Sequence, residues 1–309
     1  MSTRIASPRF LALAGTVVLW ASAFPAIRVG IDGLGVAALS FLRLLIAAVA
    51  LLAVAPFAKV RLPRRGDLPL ITLCGATGMT AYQVLLNWGE VHVEAGTASL
   101  LIAIAPVFSV LLGSLFLGER LTRNIVVGSV VALAGAAVVS LARGTGGFSV
   151  SALVILAAAV VQGVYHFASK PLLCHYTGLE VATYAMVAGT VFALPLIAAT
   201  WHATVHAPAA ALASAAYLGL LPSALGFVIW AYAVARLPLA VSTAALYLVP
   251  PVALIVSFVW LAEVPRPVAL AGGAISVAGV ILISRHKQNH HPVNAPAVDA
   301  PEPQGAACA

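Results

Sequence analysis

Gln162 and His166 lie four residues apart inside a long apolar run, so they share one face of a helix. An amide and an imidazole can together donate and accept hydrogen bonds to a small polar ligand, and the imidazole can change charge near neutral pH. The plainer use of such a histidine is a bond to a neighbouring helix. Trp20 and Phe24 repeat the four-residue spacing near the N-terminus. Tyr82, Gln83 and Asn87 put polar groups into the middle and outer half of a third run, and Tyr247 stands three residues before the pair Pro250–Pro251. Aromatic rings with a few hydrogen-bonding groups suit the binding of an amphipathic small molecule. They do not suit bond-making chemistry. The sequence has no HExxH, no paired aspartates within an apolar run, no Ser/His nucleophile arrangement and no GxxxxGK[ST] loop for nucleotide hydrolysis. Cys74, Cys174 and Cys308 have no paired or metal-ligand spacing. His286, His290 and His291 could hold a metal ion but read as part of a polar tail. No cofactor or metal is therefore expected, and the chain is not expected to be an enzyme.

The elements that must carry these residues follow from composition. The 309-residue chain is 62% hydrophobic and 8% charged, with a mean hydropathy of +1.07. A soluble domain carries roughly 25% charged residues, so most of this surface must face lipid. Apolar runs of about 20 residues match a helix crossing roughly 30 Å of hydrocarbon. Backbone groups in that medium must be bonded within the segment, which favours helices, and the period-2 pattern of a membrane barrel is absent. The expected fold is an all-α membrane protein with ten transmembrane helices, at about 10–30, 35–57, 68–89, 94–117, 124–142, 150–173, 179–200, 209–235, 239–261 and 267–284. The "ASA" at 21–23 could pass for a signal-peptide cleavage site, but the run continues past it.

A net charge of +7 in a soluble chain would suggest a nucleic-acid partner. Here the positions of the charges give another account. With the N-terminus inside, Arg4, Arg9, Lys59, Arg61, Arg64, Arg65, Arg120, Arg123, Lys170, Arg236, Arg285 and Lys287 fall on the inner side, against Arg28, Arg143 and Arg266 outside. That bias places both termini in the cytoplasm of a plasma (inner) membrane protein and removes the need for nucleic acid. Arg43 lies about 12 Å into the second helix. It is read as structural, snorkelling or binding carbonyls.

The sequence also repeats. A shift of 144 brings Gly75 onto Gly219, Pro106 onto Pro250, Glu119 onto Glu263, Gly128 onto Gly272 and Gly135 onto Gly279; a shift of 142 lays 20–28 on 162–170. The expected organisation is a cytoplasmic segment 1–9, a first repeat 10–142 (helices one to five), a second repeat 150–284 (helices six to ten) and a disordered cytoplasmic tail 285–309. Five spans per repeat is odd, so the halves are inverted, the arrangement of alternating-access transporters with a midplane site. Pro106 and Pro250 each remove a helical hydrogen bond near the centre of a span and so mark kinks at the cavity. Glu119 and Glu263 end apolar runs just before the next helix begins. They are read as structural, accepting bonds from that helix's free N–H groups and clipping a hairpin. Small residues every four positions, Gly128, Ala132 and Ala136 and again Gly272 and Ser276, suit close packing of helices five and ten within a protomer or in a homodimer.

The stretches "LALAGTVVLWASAFPAIRVG", "LSFLRLLIAA", "TASLLIAIAPVFSVLLGSLFLGERLT" and "STAALYLVPPVALIVSFVWLAEVPRPVALAGGAISVAGVILI" resemble the EamA-like family of the drug/metabolite transporter superfamily over residues 10–285. The resemblance implies ten helices in two inverted halves, export or exchange of small metabolites including amino acids, and a cavity lined by helices one, three, four, six, eight and nine. It departs at Gln162, where a Trp often opens the second repeat. The expected substrate-binding residues are Trp20, Phe24, Tyr82, Gln83, Gln162, His166 and Tyr247, in a secondary transporter that exports small metabolites. The rival readings are a non-transporting membrane scaffold or subunit and an intramembrane enzyme.

Overall fold

The first helix of the computed structural model, α1 (Pro8–Val54), has 47 residues. As a straight rod it would be about 70 Å long, more than twice the hydrocarbon thickness. Gly35, at φ 70° and ψ 172°, breaks it. Few residues other than glycine adopt that conformation cheaply. The chain folds back there, so a Cβ on Gly30 would lie 2.6 Å from the Leu39 side chain, which a straight helix would hold about 13 Å further along its axis.

The structure describes residues 7–93, 95–118, 121–141, 150–261 and 267–284. Glu119, Glu263 and the tail from Arg285 lie outside them. Among the described residues every regular element is a helix. After α1 come α2 (Leu68–Cys74), a π-helical stretch Gly75–Ala81 and α3 (Tyr82–Glu90), which form one continuous rod. Next are α4 (Ala95–Ile102), α5 (Ala105–Phe116) and α6 (Arg123–Leu141). The second part runs α7 (Val150–Leu172), α8 (Gly178–Phe192) and α9 (Ile197–His206). It continues with α10 (Ala209–Leu218), a second π-helical stretch Gly219–Leu225 and α11 (Gly226–Val234). It closes with α12 (Leu239–Ala244), a 3-10 turn Ala245–Leu248, α13 (Val249–Leu261) and α14 (Pro267–Ser284).

Among the described residues, five helical segments are long and apolar enough to cross a membrane alone: Pro8–Val54, Arg65–Glu90, Leu153–Leu172, Ala209–Val234 and Leu239–Trp260. Gly178–Phe192 with Leu194–His206, bent by 50°, makes a sixth if taken as one span. Shorter apolar helices complete the bundle. Leu115, Phe116, Val191, Val259 and Trp201 are exposed on its outside, as a lipid-facing surface requires. Inside, α6 and α14 pack side by side, and Gly128, Gly135, Gly272 and Gly279 are buried. Of the small residues expected on helices five and ten, Gly128 and Gly272 are thus buried where these two helices run side by side within one chain.

Polar clamps tie the rods together at one end. Thr177 and Glu180 form a capping box on α8. The Glu180 carboxylate also accepts from Arg61 Nε at 2.7 Å and Nη2 at 2.9 Å. The Tyr176 hydroxyl donates to Asp67 at 2.7 Å and accepts from the Arg64 backbone N–H. The segment leading into α2 is thus pinned to the start of α8. Lys170 donates to the carbonyls of Val234 and Leu237, placing its cation at the negative end of α11.

The π-helical stretches mark close helix approaches. A Cβ on Gly75 would lie 2.6 Å from Ala188 Cβ and 2.8 Å from the Gly189 N; one on Gly219 would lie 2.7 Å from Ile46 Cβ. Gly75→Val and Gly219→Val are each expected to destabilise the protein by about 1–3 kcal/mol through overpacking. Gly66→Ala, where nothing lies within 4 Å, serves as the control. Thermal unfolding in detergent checks this: equal midpoints for all three variants would mean that these helices do not touch at the glycines.

Candidate functional site

Four aromatic and imidazole rings cluster inside the bundle, His166, Trp230 and Phe227 buried and Trp20 half-buried. Trp20 on α1 and His166 on α7 lie nearly parallel, with centroids 6.3 Å apart and planes 10° from parallel. Trp230 on α11 sits 4.8 Å from His166 and 5.3 Å from Trp20, and Phe227 lies 5.1 Å from Trp20. Trp20 is held from a second side, because its Nε1–H donates to the Pro222 carbonyl at 3.1 Å, within the second π-helical stretch. A π turn alters the backbone bonding pattern, and such turns often occur at functional sites.

The imidazole is engaged on both nitrogens. Ser109 Oγ lies 3.0 Å from His166 Nδ1 and also donates to the Ala105 carbonyl at 3.0 Å. The serine has one proton, so Nδ1–H must be the donor to Ser109. Nε2 is then the acceptor, 3.2 Å from the Gln162 amide nitrogen. The network assigns a neutral imidazole with its proton on Nδ1. Gln162 keeps its Oε1 buried and without a partner.

Trp20, Gln162, His166 and Phe227 border a cavity of about 40 Å³. A buried water needs about 10–15 Å³ on this measure, so the cavity has room for a few waters. Trp20, Phe24 and Ile27 wall it from the first limb of α1, Tyr82 and Leu86 from α3, Gln162 and His166 from α7, and Phe227 from α11. Apart from Arg43 on the second limb of α1, the remaining wall comes largely from two interrupted helices. Between α4 and α5 the helix breaks at Ala103–Ile104, directly before Pro106, and Ile102, Ala103 and Ala105 line the cavity. Pro106 has no N–H for the Ile102 carbonyl, and the Val107 N–H bonds Ile104 instead. Between α12 and α13 the 3-10 turn precedes Pro250, and Leu246 and Val249 line the cavity.

Of the residues singled out from the sequence, Trp20, Phe24, Tyr82, Gln162 and His166 meet at this cavity. Pro106 and Pro250 do not line it, but Ala105 and Val249, the residues before them, do. Gln83 and Tyr247 do not line it. Gln83 is fully buried with neither amide atom bonded, and the Tyr247 ring is buried with its hydroxyl facing Ser129 on α6. Phe227, which lines the cavity, is not singled out by the sequence, and Ser109 and Trp230 touch His166 without lining it; only the fold brings them together.

Arg43 reads as structural from the sequence because the second helix is peripheral in the resembled fold; the side chain is 3% exposed and also lines the cavity. Glu90, read as lying at a span end, is at the end of α3 as expected but is fully buried.

His166→Ala removes the ring that packs on both tryptophans and leaves Ser109 and Gln162 without their partner. Loss of ring packing and of two buried bonds is expected to cost about 3 kcal/mol or more and to change the intrinsic tryptophan emission. His166→Phe keeps a ring against Trp20 and Trp230 and is expected to restore most of the emission but not the stability. Matching spectra for wild type and His166→Ala would show that the ring cluster does not form.

The family description "EamA-like transporter family" matches the chain over residues 8–141 and again over 149–285. A protein of Streptantibioticus cattleyicolor named "Probable terminal-alkyne amino-acid exporter" is 69% identical over 89% of this chain and 92% of its own length. The transporter YdfC of Bacillus subtilis, uncharacterized, is 37% identical over 85% of this chain and 86% of its own. The pseudopaline exporter CntI of Pseudomonas aeruginosa is 28% identical over 75% of this chain and 80% of its own. One solved structure superposes with a TM-score of 0.71 at 20% identity, over 90% of this chain and 96% of the other, a likeness of fold. These relatives are named as transporters or exporters, which points away from an enzyme.

Proposed function

The chain belongs to the EamA-like transporter family and is an exporter of small metabolites, and from that premise we propose that it exports an amino acid through the central cavity by alternating access. The observation that carries the reading is the cavity itself, bordered by Trp20, Phe24, Tyr82, Gln162 and His166 and by two helices interrupted at Pro106 and Pro250. Irregular backbone at membrane depth is tolerated beside a cavity, and matched interruptions in two halves point to a transport site. With room for a few waters, the cavity must widen toward one side and then the other to pass a cargo. The 69% identical relative suggests the cargo class, a terminal-alkyne amino acid. Its slender, apolar side chain suits the aromatic wall of Trp20, Phe24 and Phe227.

The chain is a multi-pass membrane protein, and the proposed topology has ten spans in two inverted halves, 10–142 and 150–284, with both termini cytoplasmic in the plasma membrane. The family description matches twice near those bounds. The two π-helical stretches begin at Gly75 and Gly219, 144 residues apart. Their glycines pack across the halves in a reciprocal way, Gly75 on Ala188 and Gly219 on Ile46, and positions 46 and 188 differ by 142. A crossed exchange of this kind is expected of two inverted copies of one unit. Glu119 and Glu263 as hairpin clips and contact between copies of the chain remain parts of this proposal.

Efflux from cells overexpressing the chain tests the function. The medium is profiled for amino acids against cells carrying Gln162→Ala with His166→Ala at equal membrane abundance. An amino acid that accumulates outside with the intact protein, and at least about 10-fold less with the double variant, is the expected result. Equal export by both would remove Gln162 and His166 from the site. Reporter fusions check the topology. A fluorescent protein that folds only in the cytoplasm should fluoresce at both ends, and a dark fusion at either end would overturn the arrangement.

A further inference from the structure

Arg43 is the charged side chain on the cavity wall among the described residues, and its hydrogen bonding is incomplete. Its Nε and Nη2 both donate to one neutral acceptor, Ser223 Oγ, at 3.3 and 3.2 Å. Nη1 is buried and has no partner. A guanidinium carries five N–H donors in a planar fork, and a buried cation is normally paired. The nearby acid does not pair with it. Glu90 is buried on α3 with neither carboxylate oxygen hydrogen-bonded, and it acts electrostatically on both Arg28 and Arg43 without forming an ion pair with either. Arg28 is engaged instead with the Glu90 backbone carbonyl at 2.8 Å. A cation with open donors thus stands at a cavity whose other walls are largely apolar or aromatic.

A second open group faces the same space. Gln162 lines the cavity and leaves Oε1 without a donor. Open guanidinium donors, an open amide acceptor and the aromatic rings of Trp20 and Phe24 match the three parts of a zwitterionic amino acid. We infer that Arg43 is the carboxylate anchor of the transport site, binding the α-carboxylate of the cargo while Gln162 Oε1 accepts from its ammonium group and the aromatic wall takes its side chain. This inference rests on the amino-acid reading above. It explains why an arginine is kept in a lipid-embedded helix, since a guanidinium–carboxylate fork supplies geometry as well as charge. It also implies rejection of amines without a carboxylate, which would bring a second cation beside Arg43.

Proteoliposomes holding the full-length chain and loaded with L-propargylglycine or its carboxamide test it. Wild-type protein is expected to release the acid at least about 10-fold faster than the carboxamide. Arg43→Gln, with folding checked by its thermal midpoint, is expected to lose the acid and most of that preference. Wild type that moves both compounds equally overturns the inference while leaving amino-acid export standing. So does a folded Arg43→Gln protein that keeps the wild-type preference. Wild type that moves neither overturns the amino-acid reading and this inference together. Should Arg43→Gln not fold, Arg43→Lys decides. A raised KM for the acid with a reduced preference over the carboxamide supports the anchor, and an unchanged KM and preference overturn it.

Discussion

Hydrocarbon offers the backbone no hydrogen bonds, and the rest of the structure depends on that constraint. It makes every described element a helix. It also limits where a helix can be interrupted, because a freed carbonyl needs protein or water beside it. The breaks before Pro106 and Pro250 are found at the cavity wall. The π-helical stretch Gly219–Leu225 supplies the Pro222 carbonyl to which Trp20 donates. Irregular backbone and cavity coincide at these breaks because each makes the other tolerable.

The centre of the bundle shows the same economy among side chains. His166 bonds Ser109 and Gln162 through its ring nitrogens and packs against Trp20 and Trp230, the first nearly parallel and the second tilted. A polar ring at this depth is held by satisfied nitrogens and aromatic contacts rather than by solvent. Two of the buried polar atoms left without a partner, Gln162 Oε1 and Arg43 Nη1, belong to residues of the cavity wall, whereas others, such as those of Gln83 and Glu90, lie off it. Unmet hydrogen-bonding capacity at a closed cavity is a property suited to a cargo that brings its own donors and acceptors.

The clamps between Arg61 and Glu180 and between Asp67 and Tyr176 join the start of α2 to the start of α8. Together with the glycine contacts of Gly75 and Gly219 they connect residues far apart in the sequence. The cavity lies between elements drawn from both parts of the chain, so any motion of one part against the other alters its walls.

Composition alone determined that this chain lives in lipid as helices, because 8% charged residues cannot cover a water-facing surface. Spacing showed that Gln162 and His166 share a face, and a constant shift of 144 paired Pro106 with Pro250. Local periodicity cannot show which helix faces which. Only tertiary packing decided that Ser109 would bond His166, that Trp230 would close the ring cluster, that Tyr247 would turn toward α6 and that Gln83 would lie off the cavity. Arg43 is the clearest case. Depth along a helix is legible in one dimension, but the direction of a side chain around that helix depends on its neighbours. The fold placed Ser223, 180 residues away, within reach of the guanidinium, and so turned a peripheral-looking arginine toward the centre.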